Sequence, residues 1–261
     1  MNRYSALGVG LVLLARLGMA DTYYVSLNGE DAWPGTSWAL AKRTLRAGVE
    51  AARDGDTVWV AEGTYRPAQS VTLDKGVTVK SVKGPRVTRV DGSSPAIRCF
   101  SVSHAAAVLD GFTITGGYDT DYGGGVWNNG TVQHCILTGN TGYRGGGAYN
   151  SGLMQKCLVY GNTSSFRGGG IWNDGLVLTC VIADNTALYG GGVWNNSLIL
   201  NATVAKNQST LGPVGGLFNY FGVVRNCIIQ ANGNGDYGEQ AGSYAPQYSC
   251  APGLFGEGNL A

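Results

Sequence analysis

The stretch DYGGGVWNN, residues 121–129, decides the fold, because near-copies of it return at an almost constant interval. They read YRGGGAYNS at 143–151, FRGGGIWND at 166–174 and LYGGGVWNN at 188–196, with a reduced form, VGGLFN, at 214–219. The asparagine after each aromatic falls at Asn128, Asn150, Asn173, Asn195 and Asn219, in steps of 22, 23, 22 and 24 residues. A second asparagine column, Asn140, Asn162, Asn185 and Asn207, follows twelve residues behind the first. Self-similarity at one fixed period marks a solenoid, and this period is too short for paired helices.

Between the glycines lie short β-branched and aliphatic runs such as TVQHCILTGN, LMQKCLVYGN and LVLTCVIADN. One such repeat cannot bury its own apolar side, so the repeats must stack. Coils of about 22 residues, paired as parallel strands about 4.8 Å apart, satisfy these constraints and predict a parallel β-helix. Side-chain alternation then assigns directions. Val126, Ala148, Ile171, Val193 and Leu217 point inward, and so do Cys135, Cys157, Cys180 and Cys227, a column in which Ala202 fills the remaining place. The aromatics Trp127, Tyr149, Trp172, Trp194 and Phe218 point outward. The two asparagine columns are expected to form ladders whose amides bond along the stack and satisfy backbone at the bends.

Composition agrees with a turn-rich all-β chain. Of 261 residues 43 are Gly, only 13% are charged, and the formal net charge of +1 offers no strong attraction to nucleic acid or an anionic membrane. Residues 1–20 read as a secretory signal peptide: Arg3 precedes the apolar run Ala6–Ala15, and Gly18 and Ala20 are the small residues before Asp21. The run is far shorter than the roughly 20 residues of a membrane span, so the mature chain is expected to carry no transmembrane segment. Export to the medium or the cell surface is the expectation. Residues 21–261 are read as one domain: a strand–helix–strand cap over 21–65, irregular early rungs over 66–122, regular repeats over 123–232 and a tail over 233–261 that reads as truncated.

In the cap, Leu45, Val49 and Ala52 share one face of a short helix, with Gly55 as its stop signal. Such a helix would cover the open end of the coil. YYVSLNGEDAWPGTSW together with AARDGDTVWVAEGTY resembles the opening of secreted bacterial right-handed β-helix proteins with the pectin-lyase-like fold. The Gly-Gly-Gly-aliphatic-aromatic-Asn phrase, with LTGN, VYGN, IADN and VAKN, is similar to the repeats of the chlamydial polymorphic outer membrane proteins. The resemblance implies a right-handed coil and a surface or secreted, adhesin-like protein. It leaves activity open, because the fold carries lyases, hydrolases and binding proteins alike.

The aromatic column is the sharpest candidate site: on consecutive rungs it would form a strip about 19 Å long on which sugar rings stack. The other reading is that the rings stack on one another to order the coil. A second column, Tyr122, Arg144, Arg167 and Tyr189, precedes the glycines. Its adjacent arginines would suit a uronate or sulfate, or would lie solvated against their tyrosines. Polysaccharide or a cell-surface glycan is therefore the candidate partner. No catalytic residues, metal ligands or cofactor are expected: acids are scarce after Gly111, and no CxxC occurs. Asp119 and Asp121 are close in sequence, while Asp174 and Asp184 fall on different sides of one rung. A polysaccharide lyase or glycoside hydrolase is the alternative to a non-catalytic binding protein. Thr115, Thr138, Thr141 and Thr163 make no single long column, which argues against an ice-binding face.

Overall fold

The computed structural model describes residues 20–247 and 249–251, so the signal-peptide reading of residues 1–20 lies almost wholly outside the described residues. The chain is a parallel β-helix, and each regular rung carries four short strands. One rung runs through Ala148–Asn150 on face I, Leu153–Gln155 on face II, Leu158–Tyr160 on face III and Thr163–Arg167 on face IV. Among the described residues the four faces stack eight, nine, eight and five strands. The strands of faces I, II and III are already present in the early, non-repeating rungs. Val71–Leu73 and Phe100–Val102 stand in register below Val126–Asn128 on face I. Face IV begins only at Tyr118–Tyr122, where the repeat phrase starts.

The inward residues form one continuous bore. Val126, Ala148, Ile171, Val193 and Leu217 are each 0% exposed, and the inward cysteines and Ala202 are no more than 3% exposed. All six cysteines are free, including Cys99, whose thiol burial pushes up to about 12, and Cys227, pushed up to about 11 for the same reason. These thiols fill space as small apolar groups.

The glycine triplet turns the chain from face IV to face I. Gly145 adopts φ +69°. A Cβ on Gly146 would lie 2.2 Å from the carbonyl oxygen of Thr163, and one on Gly147 would lie 2.7 Å from that of Gly170. Only hydrogen fits at such separations. The corner between faces II and III needs a left-handed residue too, and His134, Lys156, Thr179, Asn201 and Asn226 supply it at φ 50–56°. Both asparagine columns are buried ladders. Asn128 donates to Asn150 at 2.7 Å, Asn150 to Asn173, Asn173 to Asn195 and Asn195 to Asn219, the last three at 2.8 Å. Asn140, Asn162, Asn185 and Asn207 continue likewise at 2.9 Å, and Asn207 passes the chain to Asn232 at 3.0 Å.

The cap helix α1 (Leu45–Ala51) opens with the Thr44 hydroxyl accepting from the Ala47 amide and buries Leu45, Gly48 and Val49 against the first rungs. Lys75 closes it, its ammonium donating to the carbonyls of Val49, Glu50 and Ala52, which offsets the unpaired acceptors of the helix end. No helix among the described residues is long and apolar enough to cross a membrane.

Candidate functional site

The aromatic column stands in strict register. Trp127 pairs with Tyr149, Tyr149 with Trp172, Trp172 with Trp194 and Trp194 with Phe218. All five side chains point away from the bore, as strand alternation requires. They do not form an open platform. Trp194 is only 4% exposed, a correction to the exposed strip expected from the sequence. Its ring stacks between Trp172 at 5.8 Å and Phe218 at 4.4 Å, while Tyr220 approaches at 5.5 Å. Trp127 and Tyr149 are nearly coplanar in direction, 6.3 Å apart.

The cover comes from face IV. Tyr143 and Phe166 stack at 5.1 Å, and Tyr189 meets Phe166 edge-on at 6.0 Å, so a second aromatic row runs beside the first. Arg144 and Arg167 lie between the rows. The guanidinium carbon of Arg144 is 5.2 Å from the Trp172 ring, 5.1 Å from Tyr122 and 5.8 Å from Phe166. Arg167 lies 4.0 Å from Trp194 and 4.3 Å from Phe166. Contacts of this kind hold a cation against the negative faces of the rings. Of the two, Arg144 donates to the Tyr122 hydroxyl. Neither meets a carboxylate among the described residues, and both Nε atoms are buried without an acceptor. Burial and the charge of Arg144 lower the pKa of Arg167.

Tyr122 and Tyr189 therefore join the site from the phrase itself, but the sequence reading gave no role there to Tyr143, Phe166, Tyr220, Asp174, Asn196 or Arg98. Asp174 accepts from the Tyr149 hydroxyl at 2.6 Å, from Trp172 Nε1 at 3.0 Å and from Asn196 Nδ2 at 2.5 Å. It clamps two rings and holds the Tyr149 phenol neutral, burial and then the Asp174 bond raising its pKa. The available signal was the residue directly after each ladder asparagine, which is Asp174 in one rung and Asn196 in the next. Arg98 pairs with Asp119 at 2.7 Å and donates to the carbonyls of Tyr122 and Gly123, fixing the start of the row.

A separate polar cluster lies on the outer side of face II. Asp110, 5% exposed, accepts from Gln133 Nε2 at 3.1 Å, lies 2.9 Å from His134 Nδ1 and is 3.3 Å from the Lys80 ammonium. Burial alone would raise the pKa of Asp110, but the bonds from His134, Gln133 and Lys80 outweigh it and hold the carboxyl below its ordinary value. No group of three or more His, Cys, Asp or Glu able to hold a metal gathers among the described residues.

No protein-family model matches the chain, and no curated relative matches it either. Among solved structures it is similar to pectate lyase Pel9A, with a TM-score of 0.62 and 14% identity over 94% of this chain and 79% of that one. It is also similar to a pectin methylesterase crystallised with a hexasaccharide, with a TM-score of 0.51 and 11% identity over 94% of both chains. At such identities the likeness speaks for the fold. The chain therefore has the parallel β-helix fold of the pectate lyase kind.

Proposed function

We propose that the chain is an exported or cell-surface β-helix that binds an acidic polysaccharide, without cleaving it, along the row between faces I and IV. The observation that carries this reading is the pair Arg144 and Arg167, held on adjacent rungs by aromatic rings with no carboxylate partner among the described residues. Two cations fixed side by side repel each other, and a bidentate acidic group relieves that cost. Uronate carboxylates or sulfates have this chemistry, and the half-buried faces of Tyr149, Trp172 and Phe218 suit the adjoining sugar rings. The fold's likeness to a methylesterase crystallised with a hexasaccharide supports a saccharide as the partner class.

The test is a panel of neutral, uronate and sulfated polysaccharides, reading retention together with new reducing ends and unsaturated-uronate absorbance. Retention of the acidic polymers alone, lost on Arg144→Met with Arg167→Met, is the expected result. Retention of neutral polymers by both proteins would overturn it. A polysaccharide lyase or glycoside hydrolase is the second reading. It is favoured by His134, oriented through Nδ1 by a buried carboxylate beside Lys80, as a general base is. Cleavage abolished by His134→Ala would install that reading instead.

A further inference from the structure

A cleft of about 450 Å³ opens where α1 meets the first rungs. Leu27, Tyr65 and Pro67 give it an apolar lining, and Arg43, Arg46 and Arg66 bring three positive charges. Two of these arginines have acidic partners and, among the described residues, one does not. The Arg43 side chain has no hydrogen-bond or ion-pair partner among the described residues, and Arg66 stands a loose 3.6 Å from Asp91. Arg46 is shared between Glu50 at 2.6 Å and Gln69 at 2.9 Å. The one acid of the lining, Asp31, is occupied: it accepts from the amides of Arg43 and Thr44 and from the Thr44 hydroxyl. Tyr65 stays a neutral phenol, pushed up to about 12 by burial and bonded to the Ala61 carbonyl. An apolar wall with arginines around it matches a sugar acid, ring on the wall and carboxylate on the guanidiniums.

The cleft is not isolated from the aromatic row. Arg46 and Gln69 also line a second cleft of about 560 Å³, together with Ser70, Thr72, Lys75 and the acids Glu50 and Asp74. Thr72 stands in register with Ser101, and Ser101 with Trp127. Small side chains thus continue the aromatic column of face I to the cap, with the Ser70 and Ser101 hydroxyls 3.3 Å apart and Arg98 at their edge. From Thr72 to Trp172 is four strand steps, about 19 Å.

We propose that the cap cleft is a second site for the carboxylate or sulfate groups of the same acidic polymer, so that one chain lies over the Thr72–Ser101 floor and occupies both ends. The inference rests on the acidic-polysaccharide reading of the row. Two tethered sites raise the affinity of a ligand long enough to bridge them, and leave a short ligand unaffected.

The experiment titrates the folded chain with oligogalacturonates of graded length and compares Arg43→Ala with Arg66→Ala, together, against Arg144→Met with Arg167→Met. Arg43 and Arg66 are exposed, so unchanged thermal melting serves as the control for folding. In the cleft variant short oligomers should keep the parent's affinity at the row and lose only any binding at the cleft, while spanning oligomers should lose about tenfold or more in affinity. A cleft variant that binds every length as the parent does, or weakens all lengths equally, overturns the second site and leaves the row standing. Undiminished binding in the Arg144 and Arg167 variant, or none in the parent, overturns the reading of the row and the cleft proposal with it.

Discussion

Arg167 lies over Trp194, its guanidinium carbon 4.0 Å from the ring centroid, and Phe166 approaches the same cation at 4.3 Å. The charge is thus placed by the hydrocarbon and rings around it rather than by an acid. Replacing Arg144 and Arg167 by Met keeps the stems between the aromatic rows and removes two uncompensated cations. Removal of half-buried charge without an acidic partner relieves part of a desolvation cost. The urea midpoint of the double variant should equal or exceed that of the parent, whereas a clear fall would show that the cations themselves hold the rows together.

Trp194 should matter more for stability than its outward direction implies. It is 4% exposed and contacts Trp172, Phe218 and Tyr220. Trp194→Ala should cost about 3–5 kcal/mol by chemical denaturation, the range for a buried aromatic. Trp127→Ala, half-buried at the start of the row, should cost distinctly less.

The asparagine ladder sets a second expectation. Asn173 accepts from Asn150 and donates to Asn195, to the carbonyl of Gly175 and to that of Leu198. Asn173→Ala orphans buried partners on both neighbouring rungs, at roughly 1–3 kcal/mol for each group left unsatisfied. Asn219, at the end of the ladder, passes no amide proton to a further asparagine among the described residues and should be the milder loss. Equal costs at the two positions would mean that the amides act singly.

Asp110 gives a pH signature. Its folded pKa is lowered, so the unfolded chain binds its proton more readily. The stability it contributes is fully present above the unfolded value, near 3.9, and is lost as pH falls through the lowered folded value. Asp110→Asn and the parent should therefore differ in melting temperature at neutral pH and converge in acid below about pH 4. A difference that persists unchanged in strong acid would mean that ionisation of Asp110 is not its source.

Much of this was legible in the sequence, and the limits have physical causes. The period, the inward cysteine and aliphatic columns and the outward aromatics could be read because each rung repeats the same letter at the same parity. The left-handed corner could not: His134, Lys156 and Thr179 share no chemistry, and a β-branched residue such as Thr179 is a poor candidate for positive φ. The burial of Trp194 escaped because Arg167, which lies over its ring, comes from a strand on another face, and Tyr220 comes from beyond the next ladder asparagine. Lys80, Asp110 and Gln133 meet across rungs that lie partly before the repeat phrase, so nothing set their register in advance.

The thiols give a simple check on the bore. All six cysteines are free and five are buried, Cys250 being the one partly open to solvent. Native protein should take up label at Cys250 at most, and all six should react once the chain is unfolded. Rapid native labelling of Cys135, Cys157 or Cys180 would contradict a closed coil.

The most direct measurement is a calorimetric titration with an oligogalacturonate and with the same oligomer fully methyl-esterified, which keeps the sugar and removes the charge. Binding of the acid at least about tenfold tighter than the ester, a difference of about 1.4 kcal/mol, is the expected result. Equal affinity for acid and ester, or no heat with either, would contradict Arg144 and Arg167 as an acid-binding pair.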